Sequence, residues 1–271
     1  FDRIRASDAV GALMRRLGPW LPEHKTGRAN LAAAFPEKSP AEIEAILAGV
    51  WDNLGRVAIE FAHLDRFTTG DPLNLPYVAY DADNIARYRQ LRDGGRPALL
   101  FTAHLANWEV PAVIAAAFGL DAIIVYRRPN IGAVADAVIS ARSVTMGTLV
   151  PTRFDTPIRL ARGLEQGRHV AMLVDQHDTK GVEVTFFGRK CRANPLIAML
   201  ARQLECPIHG VHMIRLPEGK FRGEMTDAIA PVRDADGRID VQGTMQAITA
   251  IVEGWVREHP EQWLWLHRRW R

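Results

Sequence analysis

Residues 40–64 repeat apolar side chains at helical spacing: Ile43, Ile46, Leu47, Val50, Leu54, Val57, Ile59 and Phe61 fall mostly on one face. Ser39 followed by Pro40 predicts where that helix starts, because a hydroxyl can cap the first free amides and proline fits the first helical position. A second apolar stripe, at about 9–21, is flanked by Arg15 and Arg16. From about residue 96 the texture changes. Short apolar runs at 98–103, 122–126, 170–174 and 208–214 predict buried strands. Helical stretches are expected between and after them, at roughly 108–118, 132–142, 156–165, 195–204 and 242–258.

Strands alternating with helices predict an α/β fold: a mixed, mainly parallel central sheet flanked by helices, plus a helical N-terminal part. The 271 residues contain no repeat, no low-complexity tract and no Gly/Ser linker. A single domain over 1–271 is therefore expected, with 1–70 helical and 96–271 forming the α/β core. Apolar residues make up 48% and charged residues 24%, the balance of an ordinary folded protein. The net charge of +3 favours anionic partners only weakly. Cys191 and Cys206 lack metal-ligand or CxxC spacing and read as free thiols of a reducing compartment. No run reaches the roughly 18 apolar residues of a membrane span. The chain opens at Phe1 rather than Met, which leaves open a removed upstream anchor or signal.

The stretch FTAHLANWEV, 101–110, carries the chemistry. His104 is expected at the carboxyl end of a strand, where open α/β sheets bind ligands. Asn107 can cap a helix starting at Trp108, with Glu109 in its first turn and Gly119 at its stop. Glu109 can then fold back to orient the imidazole, making His104 a general base. The other reading is structural: His104 bonded to loop backbone and Glu109 complementing the helix dipole. A zinc protease would need a second histidine at helical spacing, and no G-x-S-x-G elbow supplies a nucleophile. A basic His104 would thus act on a hydroxyl of the substrate.

Asp175 and Gln176 end a second apolar strand. Phe186 and Phe187 suit either core packing or a hydrocarbon channel. Arg127, Arg128 and Arg142 offer guanidinium groups for phosphate, although any one arginine also reads as surface charge. The segment PEQWLWLHRRWR fits a membrane interface, a nucleic-acid strand or a helix packed on the sheet; no groove-reading motif supports nucleic acid. His209 and His212 point to opposite faces of one strand and make poor joint ligands.

Taken together, GRANLAAAFPE near 27, WDNLGRVAIEF near 51, AHLANWE, VYRRPN, VDQ, TFFG and PEQWLWLHRRW resemble, in order and over nearly the whole chain, the bacterial lipid A biosynthesis acyltransferases. That family is of the late, lauroyl/myristoyl type, within the lysophospholipid acyltransferase-like superfamily. The resemblance implies acyl transfer from an acyl-carrier-protein thioester to a hydroxyl of a lipid A precursor, at the cytoplasmic face of the bacterial inner membrane. It implies His104 as base with Glu109 steadying the imidazolium, and Arg142 and Asp175 at the substrate. Asn107, Arg127, Arg128 and Gln176 are expected beside them. Backbone amides at the start of the 108 helix are candidates for the oxyanion. No metal and no cofactor are expected, and the partners are acyl carrier protein, the lipid acceptor and a membrane surface met by the N-terminal helix and the C-terminus. Members usually carry an N-terminal membrane helix, so association is expected to be peripheral or through a segment absent here. Asn194 departs from the small hydroxyl residue expected there, which leaves acyl length and acceptor open. A lysophospholipid or other glycolipid acceptor, a hydrolase and a non-catalytic lipid-binding module are the alternatives.

Overall fold

Three helices precede any strand in the computed structural model, which describes residues 3–69, 75–127 and 132–270. They are α1 (Arg3–Leu17), α2 (Pro22–Ala34) and α3 (Pro40–Phe61). Helix α3 starts where expected. The Ser39 hydroxyl accepts from the Glu42 amide at 3.3 Å while the Glu42 carboxylate accepts from the Ser39 amide at 2.8 Å, a reciprocal cap that satisfies two amides at once. Helices α1 and α3 approach closely at Gly55, where a Cβ would lie 2.7 Å from the Val10 carbonyl oxygen. The expected stripe at 9–21 is thus helical only to Leu17, then a single 3-10 turn over Gly18–Trp20.

Next come β1 (Val78–Ala79), α4 (Ala82–Asp93), β2 (Leu99–Thr102), α5 (Val110–Ala117), β3 (Ala122–Tyr126), α6 (Gly132–Thr145), β4 (Thr148–Pro151), α7 (Thr156–Glu165) and β5 (His169–Leu173). They are followed by β6 (His177–Phe186), β7 (Arg189–Ala193), α8 (Leu196–Leu204), β8 (Ile208–Arg215), β9 (Phe221–Met225) and α9 (Val241–Glu258). Seven strands form one sheet in the order β1-β9-β8-β2-β5-β3-β4. All its pairings are parallel except β8 with β9. This is the mixed, mainly parallel sheet of one α/β domain with a helical N-terminal part.

Alternation along the strands buries both faces. Leu99, Phe101, Val170 and Met172 pack into the main core with α3, α8 and α9, while Leu100 joins Leu91 of α4 and Leu120 on the opposite face. In β8, a Cβ on Gly210 would lie 2.7 Å from the Phe101 ring and 2.8 Å from Trp255, whose rings stack at 5.5 Å.

Strands β6 and β7 form a separate antiparallel hairpin. Its tip, Phe187-Gly188, has φ of 52° and 68°, the pair of positive values that a two-residue primed turn demands. The hairpin is tied to α9 by Phe187 N–H donating to Glu253 at 2.6 Å and Thr185 N–H to Gln246 at 2.7 Å. Phe186 and Phe187 belong to the core and not to a channel.

The C-terminal aromatic segment differs from expectation. After a single 3-10 turn over Pro260–Gln262 it is not helical, and Trp263, Trp265 and Arg269 are at most 1% exposed. Trp263 packs edge-on against Phe186 and Trp265 against Phe187, so the indoles close the core under the hairpin.

Candidate active site

Strands β2 and β5 lie side by side with Thr102 opposite Leu173, and the ladder continues through Val174 N–H to the Thr102 carbonyl at 3.1 Å. The same offset sets His104 opposite Asp175 just past the carboxyl ends of the two strands. There the Asp175 Oδ1 accepts from His104 Nδ1 at 2.8 Å, and Oδ2 accepts from the His104 amide and from Trp263 Nε1, each at 2.8 Å.

Burial by itself would raise the pKa of Asp175. The charge of His104 and its hydrogen bonds, with a further contribution from His267, hold the carboxyl well below the usual range. An ionised carboxylate can only accept, so Nδ1 carries the hydrogen, and in the neutral imidazole the lone pair is left on Nε2. His104 lines a cavity, and the Gln176 amide nitrogen is 3.4 Å from Nε2.

Glu109 is placed differently from the sequence expectation. Its Oε2 accepts from Arg142 Nε at 2.9 Å, and its Oε1 accepts from Arg142 Nη2 and from Trp108 Nε1, the latter at 3.0 Å. The register of β2 and β5 already supplies the Nδ1 side of His104 with Asp175. Between His104 and Glu109 the chain passes through Ala106 at φ +48°, and the turn leaves the glutamate facing α6. Arg142, in the last turn of α6, is thereby held as a fork on a carboxylate. Both residues line the cavity beside His104.

Asn107 does not line that cavity and is fully buried. Its Oδ1 accepts from the Glu109 amide at 3.1 Å, and its carbonyl accepts from the Val110 amide at 3.3 Å. It shapes the loop instead of touching a substrate. The two amides it takes are also withdrawn as oxyanion donors, and α5 begins at Val110, two residues later than expected. Arg127 and Gln176 lie on the cavity wall. Arg128 falls outside the described residues.

The cavity has a volume of about 1020 Å³ and runs from His104 between the sheet and helices α4 and α5. Apolar Leu91, Leu100, Ala115, Leu120, Ala171 and Val211 line it between the sheet and the helices. Polar residues line it on the His104 side, with Arg127, Thr152, Asp178 and Asn194, and beside α4 and β9, with Asn84, Arg89, Arg92 and Glu224. Asn194 donates to Asp178 at 2.7 Å and accepts from the Leu196 amide at 2.9 Å, so it caps α8 at the rim. A site of this size and lining suits a ligand with a long apolar portion and a polar head.

Trp263 and its neighbours complete the site, a place the sequence reading of PEQWLWLHRRWR did not give them. Leu264 N–H donates to the His104 carbonyl and Ala106 N–H to the Gln262 carbonyl, at 3.0 and 2.9 Å. The tryptophans were visible as composition, but no periodicity shows that an irregular segment returns to the end of β2.

No curated protein sequence matches the chain. The family model for bacterial lipid A biosynthesis acyltransferase matches residues 3–271, nearly its full length. With a histidine–carboxylate pair at the strand ends and an apolar cavity before it, the chain belongs to the bacterial lipid A biosynthesis acyltransferase family.

Proposed function

We propose that the protein moves a fatty acyl chain from an acyl-carrier-protein thioester to a hydroxyl of a lipid A precursor. The observation that carries this reading is His104, with Nδ1 held by Asp175 and Nε2 open to an apolar cavity. The donor's acyl chain occupies the space between the sheet and α4 and α5, which brings its thioester carbonyl to the mouth. His104 Nε2 takes the proton of the acceptor hydroxyl as that oxygen bonds to the carbonyl carbon. The tetrahedral oxyanion collapses, the C–S bond breaks, and the imidazolium returns its proton to the departing thiolate. The products are an ester and a free thiol, with no acyl-enzyme.

Asp175 stays ionised and stabilises the imidazolium, the role first expected of Glu109. Glu109 instead holds Arg142 by its Nε and Nη2, and the remaining N–H groups of that guanidinium, with Arg127, bind a phosphate of the acceptor. Gln176 donates to the oxyanion from beside Nε2. The reaction needs no metal ion or cofactor in this scheme.

The protein docks on the cytoplasmic face of the inner membrane through Leu13, Leu17 and Leu21 around Trp20, which is 85% exposed, beside Arg15 and Arg16. Exposed indole and leucine next to arginine suit an anionic lipid surface. Among the described residues no helix is long and apolar enough to cross a membrane.

The test is mass spectrometry of products from the purified protein given an acyl-carrier-protein thioester, a lipid A precursor and a lysophospholipid together. A precursor gaining one acyl chain supports the reading. Acylation of the lysophospholipid alone, or release of free fatty acid, replaces it.

A further inference from the structure

Deep behind the catalytic loop lies a polar chain that the cavity does not touch. Glu60, at the end of α3, is fully buried and pairs with Arg215, at the end of β8. Arg215 Nη2 donates to Glu60 Oε2 at 3.0 Å and its Nε donates to Asn53 Oδ1 at 2.7 Å. The same Glu60 Oε2 accepts from the Asn107 side-chain amide at 2.9 Å. The Asn53 amide donates to the carbonyls of Ala106 and Gln262, at 3.0 and 3.2 Å. Neither Glu60 nor Arg215 lines the cavity.

A buried ion pair is poorly explained by stability, since apolar residues of like volume often do as well or better. These charges instead grip a turn that is locally unfavourable. Ala106 sits at φ +48°, a conformation an alanine rarely adopts, and such backbone persists only when its surroundings determine it. We infer that Glu60, fixed by Arg215, is a positioning residue that acts through Asn107 to hold the Ala106 turn and with it the His104 imidazole against Asp175. Glu60 fixes which way the Asn107 amide faces: with its nitrogen committed to the carboxylate, its oxygen is left for the Glu109 amide.

The inference rests on the acyl-transfer reading for its kinetic test, so one readout is independent of turnover. Four proteins are compared: wild type, Asn107→Ala, the apolar pair Glu60→Met with Arg215→Met, and all three changes together. Acyl transfer gives kcat and the donor KM, thermal melting gives stability, and proton NMR follows the His104 Nδ1–H signal. The expected result is a pair variant that melts near wild type yet loses at least about tenfold in kcat with donor KM unchanged, since the cavity is untouched. Asn107→Ala loses kcat comparably. The triple variant loses no more than the worse of the two, because residues acting through one contact are not additive. The Nδ1–H signal broadens or shifts in all three.

Unchanged kcat in a folded pair variant overturns the role, as do additive losses or a change confined to KM. If the pair variant fails to fold, Asn107→Ala, which leaves both charges in place, decides by its kcat and NMR signal. If even the wild type transfers no acyl group, the functional reading fails and the Nδ1–H signal alone decides this inference, an unmoved signal overturning it.

Discussion

Asp175 accepts both the ring Nδ1–H and the backbone N–H of His104, at 2.8 Å each, across 71 residues of sequence. One carboxylate therefore fixes the imidazole's tautomer and the strand end that carries it. His104→Ala should lose about 10²–10⁴-fold in kcat while remaining folded. Asp175→Asn should fall by about 10²-fold or more, since an amide cannot stabilise the imidazolium as an anion does. Steady-state rates with melting curves on both variants check this, and near wild-type turnover in either folded protein would remove the base from the mechanism.

Arg142 and Glu109 form a forked pair, 17% and 6% exposed at their side chains. Arg142→Lys keeps the charge but loses the fork. Acceptor KM should rise about tenfold with donor KM little changed. Glu109→Ala leaves a mostly buried guanidinium unpaired and should cost on the order of 3 kcal/mol or more of stability. Chemical denaturation measures that cost, and a loss below about 1 kcal/mol would show that the pair matters little to the fold.

Ala171 stands on β5 in the apolar wall of the cavity. Ala171→Phe fills part of that space and should shorten the longest acyl chain accepted. Each methylene excluded from an apolar pocket is worth about 1–3 kcal/mol, so kcat/KM for a long donor relative to one shorter by four carbons should drop by at least about tenfold. An unchanged ratio would put the chain elsewhere.

The ring nitrogens of His267 are buried beside His104, with ring centroids 6.2 Å apart. Burial, and then the positive charges of His104 and Arg269, outweigh the opposing pull of Asp175 and bring its pKa down to about 4. The unfolded chain takes up this proton below about pH 6.5. The unfolded state thus binds more protons as pH falls from about 6.5 to 4, and stability that is full above this window is lost through it. The full effect is roughly 3 kcal/mol. His267→Phe should flatten the fall in melting temperature between pH 7 and 4.5. His212, brought down to about 3 mainly by burial, leaves some slope behind. A fall identical to wild type would contradict the assignment.

The sequence pattern carried much of the sheet. The strands expected at 98–103, 122–126, 170–174 and 208–214 all form: the first three read as apolar runs, and in the last Ile208, Val211, Met213 and Ile214 outweigh the two histidines. Strand β9 and helix α4 escaped notice: one is short and broken by Gly223, and the other, ADNIARYRQLRD, is polar around most of its circumference. His104 and Asp175 could each be recognised as strand-end residues. Their partnership could not, since it depends on β5 lying beside β2, and strand order leaves no trace in local periodicity. Glu109 was paired with the nearest candidate in sequence, whereas the turn at Ala106 sends it to Arg142.

The backbone of His104 is held by Leu264 and its acid by Trp263, yet no residue from the last third of α9 onward faces the cavity. Contacts so distant in sequence close late, because their loop entropy is spent before they are rewarded. A chain lacking these contacts leaves the His104–Asp175 pair without its C-terminal support, so the order of that pair doubles as a report that folding has finished.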